Sequence, residues 1–401
     1  MRTPDTPTNS PVWRDSRARA LMIAASLTVM TAATISPALP GLERQFPQTE
    51  ANALLVRLLV SAPALAVVLV VPWCGMIADR AGRRRMLLAG LVLFVLAGSA
   101  GLVLPTLPAI LASRLCLGLA LAMIMTAQSA LLGDYFSGRA LQQVSSAQVS
   151  ARNLGGLVFI LSAGLLATLG PRLPFAIYAL PLLVLPFFWR VIVEPPRLEA
   201  PAPGSAAPGG ALGPVLGLAA GQMAVTMLFF VMPTQLPFFL AARGQGAPAM
   251  TGAALGLLML AGGVAAPAYP WLRARLGTGG TWACGFGLMG AGFALLVTVP
   301  AQAALFLGCA AIGAGYALSI PGFVVLSLAA TAPARRGRTG ALLTGSVFLG
   351  QVLSPLLSTA ALAQWGWRSS GLGLAAILGG AAAVLCIMAL VEALPRRLGL
   401  R

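Results

Sequence analysis

Long apolar runs alternate with short polar breaks along the whole chain. Twelve runs reach spanning length, because about 20 residues at a rise of 1.5 Å each cross the hydrocarbon of a bilayer. They lie near 20–40, 52–74, 86–104, 108–132, 145–169, 174–193, 214–239, 250–272, 281–299, 302–329, 339–363 and 370–393. The pattern predicts an all-α polytopic membrane protein. Residues 1–19 are polar, and the run that follows has neither the short core nor the cleavage site of a signal peptide, which predicts a cytoplasmic tail. Residues 194–213 are rich in Pro, Ala and Gly and form the one low-complexity stretch, read as a flexible cytoplasmic linker. The expected organisation is a tail (1–19), a six-helix bundle (20–193), the linker (194–213), a second six-helix bundle (214–393) and a tail (394–401).

The two bundles echo each other at an offset of 195 residues: Pro72 and Pro267, Arg80 and Arg275, Gly82 and Gly277, Gly118 and Gly313, Gly155 and Gly350. These pairs fall at matching helix boundaries, which predicts a parallel pseudo-repeat.

Charge fixes the expected orientation. Only 9% of the chain is charged, yet the net charge is +17. All 26 basic residues are arginine. With both termini inside, 19 arginines fall on the inner side, only Arg44, Arg172, Arg243 and Arg368 fall outside, and Arg57, Arg114 and Arg152 lie within runs. That bias predicts a plasma (inner) membrane protein with both termini cytoplasmic. It also accounts for the charge without nucleic acid, since the arginines cluster in short breaks between apolar runs. The five cysteines are scattered through apolar segments, and there is no histidine. Neither a disulfide framework, a metal site nor a histidine-based catalytic centre is expected, and no cofactor.

The densest charge cluster runs from Gly75 to Arg85, between the second and third runs. Four arginines in six positions do not lie in hydrocarbon, so a short loop is expected there. Gly75, Asp79, Arg80, Gly82, Arg83 and Arg84 fill every position of Gly-x-x-x-Asp-Arg-x-Gly-Arg-Arg. In this the chain resembles the major facilitator superfamily, whose loop between helices 2 and 3 carries that pattern. The fourth run starts Ser113-Arg114 with Gly118 and ends Asp134 to Arg139, which also resembles the family. The resemblance implies a conformational switch built from Gly75, Asp79, Arg80, Gly82, Arg83, Arg84, Asp134 and Arg139. It places Asp79 near the start of helix 11, Arg338 to Ala341, and near Arg83 or Arg139. In the second copy of the loop Ala274 stands where Asp79 stands in the first.

Other candidates come from chemistry at membrane depth. Pro37 and Pro233 are read as gating bends beside the cavity, or else as simple helix ends, since proline frees a backbone carbonyl. Arg57 and Arg114 lie a few residues inside the outer helix ends, where they either snorkel to the interface or form a cationic mouth, paired there with Glu43 or Glu50. The polar residues Thr31, Thr34, Thr126, Gln128, Asn153, Gln222, Thr226, Tyr316 and Gln351 are candidate cavity contacts, or else interhelical links.

The resemblance implies a monomeric secondary transporter that moves a small organic solute across the bilayer by alternating access. The Pro-Ala-Leu-Pro end of the first run resembles the drug and metabolite efflux branch, so export is the leading expectation. Uptake or uncoupled uniport is the alternative, and a non-transporting membrane sensor the alternative of another class. An enzyme is not expected, because no histidine, lysine or carboxylate lies at membrane depth. In the antiporters that the chain resembles, the position of Ala33 carries an aspartate, and Ile160-Leu161 replaces their helix 5 Gly-Pro. Coupling to protons through a membrane-embedded carboxylate is therefore not expected, and Glu50 and Asp134 are the peripheral alternatives.

Overall fold

The computed structural model describes residues 14–136, 138–194, 212–331 and 336–397. The first 13 residues of the expected tail, residues 195–211 of the expected linker and residues 398–401 lie outside the described residues. In chain order the α-helices are α1 (Ser16–Ala33), α2 (Leu39–Glu43), α3 (Glu50–Ala81), α4 (Arg83–Ser99), α5 (Leu107–Tyr135), α6 (Gly138–Leu169), α7 (Pro181–Val191), α8 (Leu212–Ala242), α9 (Pro248–Ala265), α10 (Tyr269–Thr298), α11 (Gln302–Ala329) and α12 (Arg336–Arg397). No strand occurs among the described residues.

Helix starts follow ordinary capping chemistry. The Asp15 carboxylate accepts the Arg17 N–H at 2.7 Å ahead of α1, and Thr49 Oγ1 accepts the Asn52 N–H at 3.2 Å at the start of α3. The sixth apolar run begins not as an α-helix but as a 3-10 segment, Leu173–Ala179, followed by α7. Pro174, Pro181 and Pro186 remove three amide donors from that stretch, which is why one regular helix does not form.

Among the described residues, ten stretches are long and apolar enough to cross a membrane. Two are of double length, Pro248–Thr298 at 51 residues and Thr339–Met388 at 50. Each contains one glycine with non-helical backbone, Gly277 (φ 69°, ψ −178°) and Gly366 (φ 71°, ψ 176°). A positive φ costs glycine nothing and other residues a steric clash, so the helical run breaks at these points. The pieces on either side, 248–276 and 278–298, 339–365 and 367–388, are each of spanning length.

Packing reproduces the repeat read from the sequence. In the first half α1 packs on α6, and α3 and α4 on α5; in the second, α8 packs on α12, and α9 and α10 on α11. The close approaches match residue for residue. A Cβ on Gly118 would sit 2.2 Å from the Pro63 carbonyl oxygen, and one on Gly313 would sit 2.0 Å from that of Leu258. Both pairs are separated by the same 195 positions (313 − 118 and 258 − 63). Gly155 meets Ser26 of α1, and Gly350 meets Met223 of α8, in the corresponding helix pairs. Without a water-driven hydrophobic effect between helices in lipid, such backbone-to-backbone approach supplies much of the attraction.

Buried apolar side chains form a core in each half, and the two touch through Phe348 in the first core and Ala33 and Ile160 in the second. A third cluster, with Ile35, Leu39, Val56, Leu59 and Phe175, takes in Phe238 of α8. Between the halves, α6 also packs on α9 and α3 on α12.

A methyl group at Gly118 or Gly313 forces α3 from α5, or α9 from α11. Gly118→Ala and Gly313→Ala are each expected to cost about 1–3 kcal/mol of stability, the usual range for overpacking. Gly217→Ala, whose Cβ meets nothing within 4 Å, should be neutral or slightly stabilising. Thermal unfolding of the purified variants in one detergent checks this; equal midpoints for all three would show that the close approaches are not tight.

Candidate functional site

At one end of the molecule, the Gly82 end, the loop expected over 75–85 is reduced to a single residue. Helix α3 continues to Ala81 and α4 begins at Arg83, with Gly82 (φ 99°, ψ 138°) between them. Arginine is a good helix former once outside hydrocarbon, so the helices extend through the charged segment. The first amides of α4 have no intrahelical acceptor. They are taken by Glu194, whose carboxylate accepts the Arg83 N–H at 2.7 Å and the Arg84 N–H at 2.9 Å. A Cβ at Gly82 would lie 3.0 Å from that carboxylate, so glycine is required there for space as well as for φ.

The side chains of the same arginines are also engaged. Arg83 forms an ion pair with Asp134 at the end of α5. Arg84 donates to the Trp189 carbonyl at 2.9 Å and stacks on the Trp189 ring, 5.0 Å from its centroid. The Tyr135 hydroxyl donates to the Val193 carbonyl and accepts the Val193 N–H at 3.1 Å. Gly82, Arg83, Arg84 and Asp134 of the expected switch are thus brought together. Arg80 stands in the last turn of α3. For Gly75, Asp79 and Arg139 only the backbone is described, so the expected approach of Asp79 to Arg338–Ala341 lies outside the described residues. Tyr135, Trp189, Val193 and Glu194 complete the cluster and were not singled out from sequence. Glu194 had a readable signal: it is a carboxylate closing the sixth run beside the most basic segment of the chain.

At the opposite end, the Ser36 end, prolines set the geometry. Pro37 lies in a 3-10 turn, Ser36–Ala38, after α1. Helix α8 runs unbroken through Pro233 and Pro237. A helical carbonyl normally accepts the amide four residues on; for Pro233 that residue is Pro237, which has no N–H. The Ser36 hydroxyl donates to the Pro233 carbonyl instead. This bond joins the first half to the second. Arg57 stands over the Phe238 ring of α8 at 4.3 Å and is attracted by Glu43.

Arg114 behaves differently from Arg57. It neither snorkels to the interface nor lines a mouth: it is completely buried. Phe175 and Tyr178 on the 3-10 segment cover it, with centroids 4.8 and 4.6 Å from the guanidinium carbon. It donates to the Gly98 carbonyl at 2.7 Å, while Nε and Nη1 have no hydrogen-bond partner.

The polar candidates divide into two sorts. Thr31 bonds back to the Thr28 carbonyl at 3.1 Å, and Thr226 and Tyr316 share a hydrogen bond of 3.3 Å. Tyr316 also stacks on Phe229, centroids 4.0 Å apart. By contrast Gln128 Oε1 and Gln222 Oε1 are buried with no partner, while the buried Thr34 hydroxyl lies beside that of Tyr178. Thr126, Asn153 and Gln351 are half-buried, and Asn153 faces Gly263 of α9. A cavity of about 230 Å³ lies between α8, α10 and α12, and none of these candidates lines it.

No curated protein sequence matches this chain. Solved structures are similar throughout its length. A D-xylose–proton symporter superposes with a TM-score of 0.74 at 17% identity, over 94% of this chain and 97% of that one. A point mutant of the nucleoside transporter NupG gives 0.70 at 14%, over 94% and 98%. The human organic anion transporter MFSD10 (TETRAN) gives 0.69 at 18%, over 94% and 100%. At such identities the likeness establishes the fold. The sequence profile of the Major Facilitator Superfamily matches residues 21–326, and the chain belongs to that family.

Proposed function

We propose that the protein is a secondary transporter that exports a small organic solute by alternating access between two six-helix bundles, 20–193 and 214–393. In this reading the helical runs broken at Gly277 and Gly366 each supply two spans, bringing the ten apolar stretches to twelve. The Gly82 end faces the cytoplasm, as the arginine count favours. The observation that carries the reading is the pair of buried polar atoms without partners, Gln128 Oε1 in the first half and Gln222 Oε1 in the second. Each such atom costs about 1–3 kcal/mol in a buried setting. A solute with hydrogen-bonding groups offsets that cost, and the similar structures include carriers of a sugar, a nucleoside and organic anions. Export rests on the Pro37-Ala38-Leu39-Pro40 stretch that follows α1 and is tested by direction of flux. Gln128→Leu and Gln222→Leu should weaken solute binding while raising thermal stability; solute-independent loss of stability in both would return these residues to helix linkage.

The switch reading makes a second prediction. Arg83, Asp134 and Glu194 hold the start of α4 in one arrangement, and Asp79 is proposed to belong with them. Asp79→Asn and Asp134→Asn should each lower turnover at least tenfold with little change in expression or melting temperature. Arg83→Gln combined with Asp134→Asn should be no worse than either alone, since both break one ion pair. Additive losses in transport would separate the two residues.

The position of the carboxylates favours transport without a membrane-embedded proton carrier. Asp15 caps α1, Glu43 ends α2, Glu50 opens α3, Asp134 lies in the last turn of α5 and Glu194 follows α7. Flux in proteoliposomes should therefore proceed down the solute gradient, with an imposed pH gradient adding no uphill accumulation. Uphill accumulation that survives neutralising Glu43, Glu50, Asp79, Asp134 and Glu392 in turn would overturn this.

A further inference from the structure

The cavity between α8, α10 and α12 belongs to none of the sites above. Its volume is about 230 Å³, and its walls are almost wholly apolar. It sits directly beside the Gly366 break, since Trp365 and Trp367, on either side of that glycine, both line it. Three wall residues, Leu357, Trp365 and Ile377, are 54, 60 and 64% exposed on the outside of the bundle. In a membrane-spanning helical protein such a surface faces lipid, so the cavity opens sideways into the bilayer rather than to water.

Gln235, Ser354 and Ser358 also line it, with Gln235 donating to Ser358 at 2.9 Å, and Ser369 and Ser370 lie at the end near Gly366, where tryptophan marks the level of the lipid headgroups. Two arginines stand at the same end. The Arg243 guanidinium lies 4.2 Å from the ring centre of Phe239, a wall residue. Arg368 falls between the wall residues Trp367 and Ser369. Both are exposed, and no ion pair to a carboxylate is seen for either among the described residues. An apolar slot open to lipid, with two cations at its headgroup end, is complementary to one kind of molecule.

We propose that this cavity binds a membrane lipid with an anionic headgroup, one acyl chain lying in the slot and the headgroup against Arg243 and Arg368. The free-energy gain divides between burial of the chain and attraction of the headgroup by two basic groups. The site goes beyond the transport reading and stands or falls separately from it, because its test measures lipid and not solute.

The test is native mass spectrometry of the whole protein released from nanodiscs of phosphatidylcholine and phosphatidylglycerol in equal amounts. The wild type should retain phosphatidylglycerol over phosphatidylcholine by about 30-fold, the effect of two basic contacts. Arg243→Gln with Arg368→Gln should bring the two lipids to parity while leaving the fold intact. Ala361→Phe, which fills the slot, should abolish retention of either lipid. If that variant does not fold, a phosphatidylglycerol brominated on its acyl chain replaces it, and quenching of Trp367 fluorescence in a variant with its other tryptophans changed to Phe is read. Equal retention of both lipids by the wild type would overturn the proposal. So would unchanged retention by the filled slot, unquenched Trp367, or retention of added oleate where phosphatidylglycerol is not retained, the last assigning the slot to free fatty acid.

Discussion

The constraint on which this structure depends is that a backbone amide or carbonyl in hydrocarbon has no water to bond. Regular helix satisfies it over most of the chain, and every departure needs a substitute partner. The clearest case is the Pro233 carbonyl, left open by Pro237 and filled by the Ser36 hydroxyl from the other half of the molecule. A local deficit in α8 is converted into a bond between halves. The breaks at Gly82, Gly277 and Gly366 obey the same constraint in another way: each confines the irregular backbone to one glycine, so few groups are left without partners.

The Gly82 end shows how electrostatics acts where the helices leave the bilayer. Four arginines sit at the junction of α3 and α4, next to the partial positive charge of an α4 N-terminus. That arrangement repels itself unless anions are supplied. Asp134 neutralises the Arg83 side chain, and Glu194 occupies the amides of the first turn of α4. Because Glu194 follows α7 and Tyr135 holds the neighbouring Val193, the entry to the linker is tied to the same junction.

Sequence made the repeat, the spans and the basic junction legible, because hydrophobic run length and the positions of glycine and arginine are local properties. The pairing of Gly118 with Gly313 anticipated two equivalent helix contacts that the structure places on Pro63 and Leu258. Contacts between distant segments were less accessible. Nothing local to Ser36 points to residue 233, although the Pro-x-x-x-Pro spacing in α8 marks a carbonyl that needs a donor. Arg114 was misplaced for a related reason. Its distance from the helix end suggested an interfacial residue, but the proline-rich 3-10 segment folds Phe175 and Tyr178 over it. The polar candidates were chosen by residue type alone, and only geometry separates the paired hydroxyls of Thr226 and Tyr316 from the unpartnered Oε1 atoms of Gln128 and Gln222.

The two ends are fastened by different physics. At the Ser36 end the halves are joined directly, by the Ser36–Pro233 bond, by Arg57 over Phe238 and by an apolar cluster that contains residues of both. At the Gly82 end the contacts of Arg83, Arg84, Asp134 and Glu194 tie pieces of the first half to one another. Apolar contact, a neutral hydrogen bond and a helix cap are all lost within a short separation, whereas the Coulomb attraction of Arg83 and Asp134 falls only as the inverse of distance. In the proposed alternating-access cycle, rocking one half against the other separates the contacts of the Ser36 end, while those of the Gly82 end lie within the first half and change only where that half is itself reshaped. The Ser36–Pro233 bond is thus a contact between the halves that the proposed opening of that end has to break.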